Sequence, residues 1–258
     1  KQVEVQPNYQ VGAESLTIGK LFTDDLISTM EKLADEKPYL PSTYFSPSSM
    51  QCERQMWFKA KGVKPDKKKS NYIGLGITEV GNARHEAIQK ALEKSELIEW
   101  IDIGEYAKKY APHLEVGEKT DGEYPLRDIE NNLSFRCDGL IRFMGELYIL
   151  EIKTESVKLH EQRNGINKAH LTQGVTYSLA LGVNKIMYLY ESRDIPRKKA
   201  FVLDLNTKQG QEMKDEVQRR IDYVLWAVKE NESPRRYQER YSVGACKYCN
   251  WKKTCKKY

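Results

Sequence analysis

A layered α/β or α+β fold is predicted by the order of hydrophobic periodicities along the 258 residues. Three observations carry that expectation. Between residues 22 and 97, apolar side chains recur at three- and four-residue intervals, the mark of amphipathic helices. Between 133 and 153, two runs alternate with period two, as half-buried strands do. Beyond them a helical pattern, two strand-like runs and a long helical pattern follow in turn. Such an order buries its apolar faces by laying helices against a sheet.

The elements follow in sequence. Phe22, Leu26, Ile27, Met30 and Leu33 predict a first helix, ended by Pro38 and Pro41. Ser46-Pro47-Ser48-Ser49 predicts the cap of a second helix running through Cys52 to Phe58, followed by a lysine-rich loop with Gly62 and Pro65. Val80, Ala83, Ala87, Ile88, Ala91 and Leu92 predict a helix over about 78–97. Residues 133–143 and 146–153 read as antiparallel strands joined by a tight turn at Met144-Gly145. A helix over 166–181, strands at 185–190 and from Ala200, and a helix over 207–230 complete the pattern. One core is expected, with residues 1–45 as a helical extension and 46–258 as the main domain.

The composition is 40% hydrophobic and 31% charged, and no apolar run approaches the 18 residues of a membrane helix. Lys1-Gln2-Val3-Glu4 has none of the succession of a secretory signal, so an intracellular, membrane-free setting is expected. The net charge of +5 is unevenly placed. Six lysines against Asp66 fill 59–69, and eight lysines and arginines against Glu239 fill 234–258. Basic stretches of this kind suit a polyanion.

The hairpin carries the chemistry. With Met144 and Gly145 as its two loop residues, Asp138 falls opposite Glu151, where facing Cβ atoms lie roughly 4.5–5.5 Å apart and like charges repel. Alternation puts Glu151 and Lys153 on one face and Leu150 and Ile152 on the other. Hard divalent cations take carboxylate and carbonyl oxygens, so Asp138, Glu151 and the Ile152 carbonyl can ligate Mg²⁺ or Mn²⁺. Lys153 can then position or help deprotonate a water. His85, at the edge of its helix's apolar stripe, can add an imidazole ligand. Gln173 and Tyr177, four apart on a helix, can contact phosphates or the attacking water.

Four of the five cysteines suggest a second site. Cys246, Cys249 and Cys255 form a C-x2-C-x5-C set, Cys52 is the best candidate for a fourth thiolate, and Cys137 alternates with Asp138 toward the packed side of its strand. Four thiolates hold zinc or an iron–sulfur cluster, and spacing does not choose between them.

Gly81-Asn-Ala-Arg-His85, Cys137-Asp138-Gly-Leu, Glu151-Ile-Lys153 and Gln173-x-x-x-Tyr177 occur in the order found in RecB-like PD-(D/E)XK nucleases, which the chain resembles over 46–258. Cys137 stands where the superfamily motif has proline. The resemblance implies a restriction-endonuclease-like core, a central mixed sheet flanked by helices. It also implies a metal-dependent DNA nuclease, an exonuclease on single strands or DNA ends. One early and three late cysteines further resemble the CRISPR-associated iron–sulfur exonucleases and AddB-type nuclease domains, implying a structural [4Fe-4S] cluster. The resemblance leaves homo-oligomers and protein partners in DNA processing open. Other classes, a DNA-binding recruitment module or a zinc-stapled structural protein, retain the same residues; intact Asp138, Glu151 and Lys153 speak for the enzyme.

Overall fold

The computed structural model describes residues 13–36, 41–66, 70–120, 122–235, 246 and 249–257. The chain divides into two compact units, 1–40 with 67–78, and 41–66 with 79–258. The first contains α1 (Ala13–Asp35) and the start of α3 (Tyr72–Glu93). Within it, Glu31 accepts from the Tyr72 amide and Asp35 from the Ser70 amide, so acidic side chains hold the start of α3. Lys67, Lys68, Lys69, Arg236, Arg240 and Lys247 of the two basic stretches lie outside the described residues.

The second unit is built on a five-stranded sheet in the order β1-β5-β6-β7-β8: β1 (Ile98–Ile101), β5 (Gly139–Phe143), β6 (Glu146–Glu155), β7 (Lys185–Ser192) and β8 (Lys198–Asp204). Only β6 and β7 are parallel, so the sheet is mixed. A parallel neighbour needs a crossover, supplied here by α5 (Val157–Gln162) and α6 (Lys168–Leu181). A smaller antiparallel sheet joins β2 (Leu114–Val116), β3 (Leu126–Asp128) and β4 (Leu133–Phe135). Helices α2 (Glu53–Ala60), α4 (Ile103–Tyr110) and α7 (Lys208–Lys229) complete the unit. Among the described residues no helix is long and apolar enough to cross a membrane.

Alternation divides the large sheet into two packed faces. Leu140, Ile149, Ile186, Tyr188 and Tyr190 share a core with Val175, Tyr177 and Leu181 of α6. Ile141, Leu150 and Ile152 pack with Ile88 of α3. Each such side chain contributes roughly 1.5–3 kcal/mol on leaving water. The α6–β7 approach is close enough that Gly174 is required: a Cβ there would collide with Tyr188 Oη. Asn167 caps α6, accepting from the Ala169 amide, and Gly182 ends it in the left-handed region at φ 71°.

Several sequence expectations are corrected. The run 133–143 is two strands in different sheets, broken at Arg136–Asp138 where the chain passes from one sheet to the other. Period-two alternation continues across such a break, so it hides it. Pro47–Ser49 is a separate 3-10 turn, and α2 begins after Cys52, which occupies its N-cap. Helix α3 runs from Tyr72 to Glu93 instead of 78–97, because the following residues pair into β1. Strand β1, α4, β2, β3 and α5 lie in stretches too short for their periodicity to stand out.

Candidate active site

The Met144-Gly145 turn sets the site. Both residues take positive φ, 49° and 80°, the requirement of a two-residue hairpin loop whose twist matches its strands. The ladder pairs Phe143 with Glu146 and Gly139 with Leu150, the register the turn predicts. Regular pairing stops there, and Asp138 sits in the bend one residue before β5. From the bend its carboxylate turns onto the β6 backbone, Oδ2 accepting from the Ile152 amide. The Ile152 side chain is buried on the α3 face.

Helix α3 crosses that face and reaches the bend twice. His85 Nδ1 lies 3.3 Å from Asp138 Oδ1, and Gln89 Nε2 donates to the Asp138 carbonyl at 2.6 Å. Burial favours a neutral His85 ring, but the hydrogen bond and charge of Asp138 outweigh it and raise its pKa. Arg84 fixes the helix, donating through Nε and Nη2 to the buried Glu191 carboxylate on β7.

On the other face, Glu151 is 1% exposed. Burial and then the Asp138 charge push its pKa up to about 7. Its Oε1 meets the Lys153 ammonium as an ion pair but receives no hydrogen bond of ordinary geometry. Burial works against the Lys153 charge, but Glu151 and Asp138 overcome it and raise the lysine pKa. Gln173 Nε2 donates to Tyr177 Oη at 2.7 Å, so the two share one side of α6. Tyr177 is 4% exposed and packs on Phe135 at 5.4 Å. Burial, then Glu151, raises its pKa well above the usual phenol value, so it is an uncharged group at the wall of the site.

Sequence reasoning missed Glu123 and Gln89. Glu123 Oε1 accepts from the same Gln89 amide that holds Asp138, at 3.2 Å, and burial followed by the Asp138 charge raises its pKa. Gln89 lies four residues beyond His85 on α3, a signal available in the helical spacing. Nothing in the sequence around Glu123 brings it to the hairpin.

At the other candidate site, burial raises the Cys52 thiol pKa against hydrogen bonds from the Gln55 and Arg54 backbone, and Cys249 and Cys246 add to the rise. Arg54 Nη1 donates to Cys255 Sγ at 3.8 Å. Protein contacts already join residues 63–66 to residues 251–254 here. The Trp251 indole donates to the Val63 carbonyl at 2.8 Å, and the Asp66 carboxylate receives the Lys253 and Thr254 amides. Cys137 is buried, and burial, followed by the charges of Glu151, Asp138 and Glu123, raises its thiol pKa strongly. Among the described residues, no three His, Cys, Asp or Glu side chains converge as a ready-made cage for a metal ion. The carboxylates of the hairpin are held instead by Lys153, His85 and the Ile152 amide.

No family model matches the chain, and no curated protein matches it. Among solved structures, the chain is similar to the crystal structure of SSO0001, at 14% identity and a TM-score of 0.42, over 90% of this chain and 94% of the other. It is also similar to an alkaline exonuclease (LHK-Exo) from Laribacter hongkongensis, at 10% identity and a TM-score of 0.46, over 74% and 90% of the two chains. LHK-Exo in complex with dAMP gives 11% identity and 0.46, over 73% and 89%.

Proposed function

We propose that the chain is a DNA nuclease that hydrolyses phosphodiester bonds with Mg²⁺ or Mn²⁺, acting on single strands or ends. One observation carries the reading: Asp138, Glu151, Lys153 and His85, from three parts of the chain, gather around the start of β5, with two carboxylates close enough to raise the pKa of one of them. A buried carboxylate oxygen without an ordinary hydrogen bond, beside a second carboxylate, is a donor set suited to a hard divalent cation. Asp138 and Glu151 would hold the ion, with the Ile152 carbonyl and His85 as further donors. The ion supplies neutralisation of charge on the phosphate and a more acidic water.

The remaining chemistry belongs to the side chains. Lys153, cationic and tied to Glu151, directs a positive charge and its remaining donors toward a phosphate or the attacking water. Gln173 and Tyr177 offer uncharged polar groups to the substrate backbone. The residues at Cys52, Cys246, Cys249 and Cys255 are read as the ligands of a structural [4Fe-4S] cluster. Four thiols, one near residue 50 and three beyond residue 245, with Arg54 donating to one sulfur, have the ligand chemistry for it.

Digestion of end-labelled single- and double-stranded DNA with Mn²⁺, Mg²⁺ or EDTA tests the reading, with Asp138→Ala alongside. Metal-dependent cleavage that Asp138→Ala abolishes is expected. Cleavage surviving in that variant near the wild-type rate overturns the assignment.

A further inference from the structure

One turn before Gln173 on α6 lies His170, which the site described above does not use. Residues 170, 173 and 177 recur at helical spacing and form one stripe. The stripe runs along the side of the sheet that carries Glu151 and Lys153: Tyr188, paired with Glu151, donates to the His170 carbonyl, and Tyr190, paired with Lys153, meets the His170 ring.

The hydrogen bonds around Tyr190 decide the state of that ring. Tyr190 is fully buried, and its Oη accepts from the Asn167 amide at 3.2 Å, a group that can only donate. Its proton is then free for His170 Nδ1, 2.9 Å away. An imidazole that accepts at Nδ1 carries its hydrogen on Nε2. The surroundings keep the ring neutral: burial, then the Lys153 and Arg163 cations, hold its pKa down to about 4, against an opposing pull from Glu155. Arg163 is itself fixed, its guanidinium over the Tyr190 ring at 3.9 Å and clamped by the Glu155 carboxylate. Nε2 takes no hydrogen bond among the described residues, and His170 is half-buried, so part of the ring is open to solvent.

We propose that His170 is a further substrate contact of this site: locked by Tyr190 as the Nε2–H tautomer, it donates an uncharged hydrogen bond to the sugar–phosphate backbone of a nucleic acid beside Lys153. The inference rests on the nuclease reading. A donor that carries no charge adds affinity without counterion release, which separates it from a lysine or arginine contact.

Binding of a fluorescent single-stranded oligonucleotide to the Asp138→Ala protein, titrated against salt, tests it. Adding His170→Ala should weaken binding about tenfold or more, as the loss of a hydrogen bond to a charged oxygen does. The slope of log K against log salt should stay unchanged, whereas adding Lys153→Ala should flatten it by about one. His170→Gln, which keeps a neutral donor, should recover part of the loss. In ¹⁵N-labelled wild-type protein, long-range ¹H–¹⁵N spectra should show His170 as the Nε2–H tautomer, and Tyr190→Phe should release a mixture. Unaltered affinity in the His170→Ala protein, a slope flattened by that substitution, or an Nδ1–H tautomer in the wild type each overturns the His170 assignment while leaving the nuclease reading standing. Failure of the Asp138→Ala parent to bind DNA at any salt, together with no cleavage by the wild type, overturns the nuclease reading and this inference with it.

Discussion

Glu151→Gln replaces a buried carboxylate by a group of the same shape that does not titrate, so its effect on stability is a function of pH. Glu151 is 1% exposed, and burial followed by the Asp138 charge lifts its pKa from the ordinary 4.5 to about 7. In the unfolded chain the group titrates in its ordinary range, so between those values the native protein holds a proton that the unfolded chain has released. A pKa raised by folding gives stability that is complete below the unfolded value and lost as pH rises through the folded one. At about 1.4 kcal/mol for each unit, the lift corresponds to on the order of 3 kcal/mol, most of it lost between about pH 5 and 8. Urea denaturation of both proteins in EDTA across that range measures it. Groups that titrate alike in both cancel in the difference, which should move in favour of the glutamine variant by about that amount as pH rises. Mn²⁺ should oppose the trend by stabilising only the wild type at high pH, because a cation binds the ionised carboxylate of the folded state. A difference flat with pH refutes the reasoning, since Glu151 would then be ionised throughout and burial and Asp138 together would not lift its pKa.

Three further outcomes follow from the same geometry. Lys153→Ala should lower kcat by orders of magnitude with a smaller change in KM, and should move the rise of activity with pH upward, because Glu151 loses the cation that lowers its pKa; steady-state kinetics over pH check both, and a fall confined to KM would make Lys153 a binding contact. Cys249→Ala should give a colourless protein with a lower Tm, while Cys137→Ala, at a buried side chain beside Glu151 and Asp138, should keep its visible absorbance; zinc without iron in the wild type would count against the cluster. Gly174→Ala should destabilise the fold by roughly 1–3 kcal/mol through overpacking against Tyr188 and weaken DNA binding as α6 shifts, and an unchanged Tm would count against the close α6–β7 approach.

The sequence by itself determined what depends on near neighbours. A turn whose two residues both take positive φ fixed the hairpin register, and because side chains alternate with period two, that register decided which face Glu151 and Lys153 share. Helical spacing likewise put Gln173 and Tyr177 together before any fold was known. What passed between elements was settled only in three dimensions. Asp138 lies in a bend between two sheets, where its carboxylate meets a β6 amide and a histidine from α3, although the alternation around it reads as one unbroken strand. Glu123 joins the site through Gln89, across 34 residues of sequence that carry no pattern linking them. The burial of Tyr177 and the tautomer of His170 depend on β4 and β7 respectively. Periodicity reports the face a residue takes on its own element, whereas charge, hydrogen-bond direction and pKa depend on the groups that other elements bring to that face.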